Sequence, residues 1–238
     1  MPYDKKNKFI FIHIPKVAGT SIEKHLGIYY KNKSFSTELG FGKFEANNIV
    51  YSLQHITLAQ LLELNLLTKA DVNNFFKFCF VRNPWDRAVS GFKWHKKIKN
   101  KKITFREYLL LCKKHFHTNQ DNRSMNLENC HFLPQSWYVF DRKKSLLVDF
   151  VGKYETLQTD MNFVLTKLNM ELSELQNHNK SKKIPYFFYY YDIRNIFLVK
   201  KIYKEDIVNF KYFFFKSNSL SLFFQRLLSK YKNKIKNL

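Results

Sequence analysis

The stretch Phe9-Ile-Phe-Ile-His-Ile-Pro-Lys-Val-Ala-Gly-Thr-Ser21 decides how this chain is read. Its first half, residues 9–14, is a short apolar run of phenylalanine and isoleucine, the pattern of a strand buried on both faces. A loop over 15–19 follows, and Thr20-Ser-Ile-Glu23 then reads as a capping box opening a helix. Strand, loop and helix in that order predict an anion cradle. Backbone amides from Val17 and Ala18 onward, at a helix N-terminus, face a phosphate or sulfate, and Lys16 adds a full positive charge. Gly19 would let backbone approach the anion, while Thr20 and Ser21 offer hydroxyl donors. The loop is not a Walker A sequence, which places its lysine after the last glycine. Here Lys16 precedes Gly19.

Working outward, residues 48–53 read as a second strand ending in Gln54-His55, and Thr57 as the cap of a helix through Leu67. Residues 76–81 form a third strand, stopped by Arg82-Asn83-Pro84 because proline removes a ladder donor. Asp86 starts a helix to about His95. A fourth strand over 145–154, a helix over 156–168, a polar loop over 176–183 and a helix over 192–210 complete the pattern. This alternation predicts an α/β fold with a P-loop-like open parallel sheet and helices on both faces. The expected domain covers residues 1–215, with 216–238 a basic tail.

Composition sets the bounds. The chain has 238 residues, 45% of them hydrophobic, which supports a real core and excludes wholesale disorder. Lys and Arg number 41 against 19 acids, a formal charge of +22 that attracts polyanions without choosing among nucleic acid, glycan, phosphorylated cofactor and anionic membrane. Apolar runs fall short of the roughly 18 residues that span a bilayer, and no signal peptide is evident, so a cytoplasmic protein is expected. The tail carries Arg226, Lys230, Lys232, Lys234 and Lys236 without an acid, and its leucines and phenylalanines suit a basic amphipathic helix that touches a membrane surface. Cys79, Cys112 and Cys130 are widely spaced and odd in number, which argues against a disulfide framework or a zinc site.

A second constellation is Phe80-Val-Arg-Asn-Pro-Trp-Asp-Arg-Ala-Val-Ser-Gly-Phe92. Arg82 falls at the carboxyl end of a strand, where open α/β sheets bind ligands, and Ser90 lies on the following helix. Arginine's planar fork suits a phosphate, with a serine hydroxyl as complementary donor. Taken alone, Arg87 reads as a surface charge.

Together the Pro-Lys-x-x-Gly-Thr-Ser loop and the Arg-Asn-Pro-x-x-Arg-x-x-Ser segment resemble the sulfotransferases that use 3′-phosphoadenosine 5′-phosphosulfate (PAPS). The carbohydrate branch, related to uronyl 2-O-, chondroitin and HNK-1-type enzymes, is the nearest match. The resemblance implies that Lys16, Val17, Ala18, Gly19, Thr20 and Ser21 hold the phosphosulfate, and that Arg82 and Ser90 hold the 3′-phosphate. It extends more loosely to His131-Phe-Leu-Pro-Gln135, to Val151-Gly-Lys-Tyr-Glu155, to the polar loop His178-Asn-Lys-Ser181, and to Tyr203-x-x-Asp206. The sequence departs from the commonest loop at Val17-Ala18, where threonine usually stands first.

Sulfuryl transfer, by analogy with phosphoryl transfer, needs positioning and charge stabilisation, and Lys16 is the candidate for the departing oxygen. An acceptor hydroxyl also needs a base. His55, after the second strand and before a helix cap, is the candidate, since a neutral imidazole accepts a proton at cellular pH. Glu23 is an alternative already explained by capping. His13 reads as structural, His25 and His95 as helix-surface residues, and His131 and His178 as acceptor-cleft candidates. Loops over 29–47 and 96–129 would build the acceptor pocket, a glycan or glycolipid, acidic given the basic surface. No metal-binding pattern is present. The rival readings are a P-loop-like nucleotide kinase, which lacks its lysine and magnesium acid here, and a non-catalytic polyanion- or nucleic-acid-binding protein. No specific nucleic acid is expected as partner, because the aromatics fall in apolar runs that read as core.

Overall fold

The computed structural model describes residues 2–28, 42–99, 102–121, 123, 125–176 and 184–215. From the amino end, β1 (Tyr3–Asp4) turns back on β2 (Phe9–Ile12), and the following loop enters α1 (Gly19–His25). A hairpin of β3 (Lys43–Ala46) and β4 (Ile49–Ser52) precedes α2 (Leu58–Glu63), α3 (Lys69–Asn74) and β5 (Phe76–Val81). Helices α4 (Pro84–Lys99), α5 (Phe105–Asn119) and α6 (Ser136–Val139) lead to β6 (Phe150–Lys153). Helices α7 (Leu157–Lys167), α8 (Ile193–Ile202) and α9 (Lys204–Asn209) follow.

The architecture is α/β, with a mixed four-stranded sheet in the order β1-β2-β5-β6 and flanking helices. Strands β2, β5 and β6 run parallel, with Ile12 beside Cys79 and Val81 beside Lys153, whereas β1 is an antiparallel edge. The sheet is therefore not the all-parallel one that the alternation predicts. Every residue of β2 is completely buried, as an apolar run without alternation requires. Parallel pairing brings the carboxyl ends of β2 and β5 side by side, so the two loops singled out by sequence leave the sheet at one edge.

The expected second strand of the main sheet lies elsewhere. It pairs with β3 in a separate two-stranded sheet, joined by Asn47 and Asn48 at φ 52° and 60°. Two left-handed residues between paired strands make the tight turn whose twist matches a hairpin, and asparagine tolerates that conformation. The hairpin also exposes one face, unlike β2, and its burial alternates accordingly.

Thr57 caps α2 as expected, its hydroxyl accepting from the Gln60 amide in a capping box. That helix stops at Glu63, and Thr68 opens α3 with a second box. Residues 96–129 are not a loop: most of them form α4 and α5, and α5 is capped by Thr104 and Glu107. The helix expected over 192–210 starts as predicted after Asp192 but breaks at Tyr203 into α8 and α9. One apolar core surrounds β2 and β5, and a second, rich in aromatics, joins α4, α5 and α8 around Trp85, Tyr108, Tyr190 and Tyr203. The three cysteines are free and buried.

Candidate active site

Lys16 and Ala18 both take left-handed φ, 73° and 70°, on either side of buried Val17. Such alternation turns successive peptide N–H groups toward one side and makes a concave anion site. Arginines hold two of the loop's carbonyls. Arg87 Nε donates to the Pro15 carbonyl at 3.0 Å, and Arg82 Nη1 donates to the Lys16 carbonyl at 3.2 Å. The helix that follows is capped by Ala18 without a side-chain bond, so the capping box read at Thr20 and Glu23 is absent. The Ser21 amide donates to the Ala18 carbonyl at 2.9 Å, Ser21 is buried, and Thr20 is half-buried.

Gly19 has a reason that the sequence does not reveal. A Cβ there would lie 2.0 Å from Nε2 of His13, so glycine is required because an imidazole fills its side-chain space. Backbone approach to a ligand is a separate matter.

The Arg82 turn is built by residues far away in the chain. The Gln135 carboxamide spans Arg82, with Oε1 accepting from its amide at 2.9 Å and Nε2 donating to its carbonyl at 2.8 Å. Buried Asp206 in turn accepts from the amides of Gln135 and Ser136, while the Tyr203 hydroxyl donates to the Phe132 carbonyl at 2.7 Å. The loosely matched 131–135 and Tyr203-x-x-Asp206 segments thus fasten to each other. Glu155 accepts from the Asn83 amide at 2.8 Å, and Asn83 Oδ1 accepts from the Trp85 amide at 3.0 Å.

Arg82 is half-buried, paired through Nε with Asp86 at 2.8 Å and lying 4.1 Å from the Tyr154 ring centroid. Arg87 is no surface charge. It is 3% exposed, and Nη1 donates to the Leu133 carbonyl at 3.0 Å, while buried Nη2 has no partner. Ser90 sits half-buried one turn further along α4, on the same side as Arg87.

Three imidazoles meet beneath these cations. The His55 ring packs edge-on against His13 at 4.6 Å and against His131 at 5.0 Å. His55 Nδ1 donates to the His13 carbonyl at 3.0 Å; because a carbonyl only accepts, the neutral ring carries its proton on Nδ1 and leaves Nε2 with a lone pair. Burial and the neighbouring His13 and His131 push His55 well below the usual histidine range, so it is neutral at pH 7. His131 stacks on Trp94 at 4.0 Å, and Lys16 Nζ stands 5.2 Å from the centroid of the same indole. Burial, Lys16 and Arg87 lower His131 to about 3. Burial, Arg82 and Arg87 lower Lys16 to about 8.

Glu23, completely buried, accepts from His13 Nδ1 and from Gln54 Nε2, the latter at 2.9 Å to each carboxylate oxygen. Sequence reasoning kept Glu23 local to its helix and missed Gln54, Gln135, Trp94 and the internal role of Arg87. His95 is buried against Tyr108 and Phe132 and is not a surface residue, whereas His25 is half-buried at the end of α1. His178 and Ser181, residues 29–41 of one expected acceptor loop, and the 216–238 tail lie outside the described residues.

The donor set fits a polyanionic nucleotide. Lys16, Arg82 and Arg87 meet at one sheet edge, Arg87 Nη2 there has no partner, and the loop takes left-handed φ at Lys16 and Ala18. Among the described residues, no group of three or more His, Cys, Asp or Glu is placed to hold a metal ion. Among them, too, no helix is long and apolar enough to cross a membrane.

A strand–loop–helix turn, an arginine turn at the same edge and a buried neutral imidazole thus meet at the carboxyl ends of β2 and β5. The chain belongs to the sulfotransferase family, a family of PAPS-dependent transferases, whose model matches residues 1–213. It is 30% identical over 107 residues to an uncharacterized protein of Archaeoglobus fulgidus, covering 44% of this chain and 78% of that one. It is 24% identical over 190 residues to carbohydrate sulfotransferase 11 of Rattus norvegicus and of Mus musculus, covering 68% of this chain. The matched region spans 51% of those mammalian relatives, about half their length. No solved structure matches the chain.

Proposed function

We propose that this protein transfers the sulfuryl group of PAPS to a hydroxyl of a carbohydrate or glycolipid acceptor. The observation that carries the reading is the meeting of Lys16, Arg82 and the left-handed loop with the neutral His55 imidazole at one sheet edge. The β2–loop–α1 unit beside parallel β5 supports a P-loop-like description of the nucleotide half. When bound, PAPS supplies the electrophilic sulfur and a leaving phosphate. The loop amides of Val17, Ala18 and Gly19 and the hydroxyls of Thr20 and Ser21 hold the phosphosulfate, while Arg82 and Ser90 hold the 3′-phosphate. His55 Nε2 removes the acceptor's proton, and the Lys16 ammonium stabilises charge on the departing oxygen without a metal. The carbohydrate acceptor is supported by the named mammalian relatives. The charge of +22 suits an acidic one. Residues 1–215 form the transferase domain, and the basic tail over 216–238 supplies peripheral contact with anionic surfaces.

The test begins with PAP, the desulfated nucleotide. At about a hundredfold over its dissociation constant it stabilises by about 2.7 kcal/mol, a melting shift of about 5–10 °C for a chain of this size. ATP with magnesium should give no such shift; the reverse pattern favours a kinase. Incorporation of labelled sulfate from PAPS is then followed over a panel of chondroitins, neutral oligosaccharides and glycolipids. His55→Ala should lower turnover about 10²–10⁴-fold while PAP affinity stays within twofold. Near-normal turnover in that variant would remove His55 from the mechanism.

A further inference from the structure

We propose that Glu23 is the positioning residue of His55, gripping it by two arms, His13 and Gln54. The inference rests on the reading in which His55 is the base. Glu23 lies in the middle of α1 and is completely withdrawn from water, an expensive place for a carboxylate unless its oxygens are used. They are used. One oxygen accepts from His13 Nδ1, and both accept from the Gln54 carboxamide at 2.9 Å.

Each arm ends on His55. Gln54 is its chain neighbour, inside the single 3-10 turn Leu53–His55 that joins the hairpin to α2. Fixing the Gln54 side chain therefore fixes the rotation of that turn about its axis. His13 is the other arm: its ring is pinned between Glu23, the Gly19 backbone and the edge of His55, and its carbonyl receives the His55 Nδ1 proton at 3.0 Å. The carboxylate thus ties the end of β2, helix α1 and the end of the β3–β4 hairpin into one unit. What that unit fixes is the tautomer. With Nδ1–H committed to a carbonyl, Nε2 is left as the nitrogen able to accept a proton. A purely structural bridge between α1 and the hairpin would need no such relation to the imidazole. Its removal would lower stability and leave the tautomer alone.

The experiment is a long-range ¹H–¹⁵N correlation spectrum of the imidazoles in the full chain at pH 7.5, with the eight histidines assigned by single substitutions. In the native protein His55 should appear as one tautomer, protonated on Nδ1. In Gln54→Ala and in Glu23→Gln its two nitrogen shifts should move toward each other, reporting exchange between tautomers with Nε2–H populated at a third or more. PAP affinity, measured by calorimetry, should change by less than threefold in both, since neither residue belongs to the nucleotide loop. A native His55 pattern in folded Gln54→Ala overturns the proposal. Should Glu23→Gln fail to fold, Gln54→Ala decides alone. Absence of PAP binding by the native protein would count against the sulfotransferase reading instead, and leaves the tautomer result to stand or fall by itself.

Discussion

The loop over 15–21 and the turn that begins at Arg82 bring positive charge to the same sheet edge, yet they hold it in opposite ways. On the turn, the guanidinium of Arg82 is matched by Asp86 and laid on Tyr154, and Arg87 is spent on the carbonyls of Pro15 and Leu133. On the loop, Lys16 faces an indole ring, and its proton is loosened by burial and by the two arginines. Both arginines are braced by partners in the fold, whereas the Lys16 ammonium is lowered to about 8 by its surroundings. Charge of one sign serves construction on one side and responsiveness on the other.

The comparison breaks first at Arg87. Replacing it by leucine leaves the Pro15 and Leu133 carbonyls without their donor, each orphaned acceptor costing about 1–3 kcal/mol. A loss of about 3 kcal/mol, read as a melting temperature about 6–12 °C lower, is the expected outcome. A variant that melts within about 2 °C of the native protein would show that the Pro15 and Leu133 carbonyls do not depend on Arg87.

Lys16 sharpens the other side. Its pKa in the free protein is about 8, and a bound polyanion favours the ammonium, so the bound value lies higher. Affinity for PAP should therefore be flat below pH 7.5 and weaken as pH rises through 8, approaching about tenfold per pH unit. The phosphates of PAP are already ionised there, with second pKa values near 6. Lys16→Arg keeps the charge without the titration, so its profile should be flat to pH 9.5. A steep profile in that variant would assign the titration to another group.

The smallest expected effect concerns Asp86. Its carboxylate holds Arg82 Nε at 2.8 Å, and Asp86→Asn removes the charge while keeping an acceptor. Screened and partly exposed pairs contribute about 0.2–1 kcal/mol, so PAP should bind about 1.4- to 5-fold more tightly, with little change for the analogue lacking its 3′-phosphate. Equal tightening for both nucleotides would detach Arg82 from the 3′-phosphate.

Much of the framework was legible where a segment's own residues settle its shape. The unbroken apolar run of β2, the apolar run over 78–81 in β5, the proline stop after Asn83 and the Thr57 cap needed no distant partner. Two local signals were present and passed over: the Asn47-Asn48 pair that makes the hairpin, and the Thr104-x-x-Glu107 box that opens α5 inside an expected loop. The site was legible by its loops but not by its fastenings. Glu23 looked like a helix cap because its real partner Gln54 lies 31 positions away, and Arg87 looked solvated because Pro15 and Leu133 lie 72 and 46 positions away. Burial of a charge depends on what arrives from elsewhere in the chain, and local pattern carries no trace of it.

The fit of His13 against Gly19 makes the loop a diaphragm one peptide thick. On its inner side lies an imidazole that occupies the space of a missing side chain; on its outer side, in the proposed reading, an anion is held. An anion held there would be separated from the His13 ring by little more than the thickness of a backbone. The His13 resonances are therefore a built-in voltmeter for occupancy of the loop, readable without labelling either the ligand or any residue that touches it.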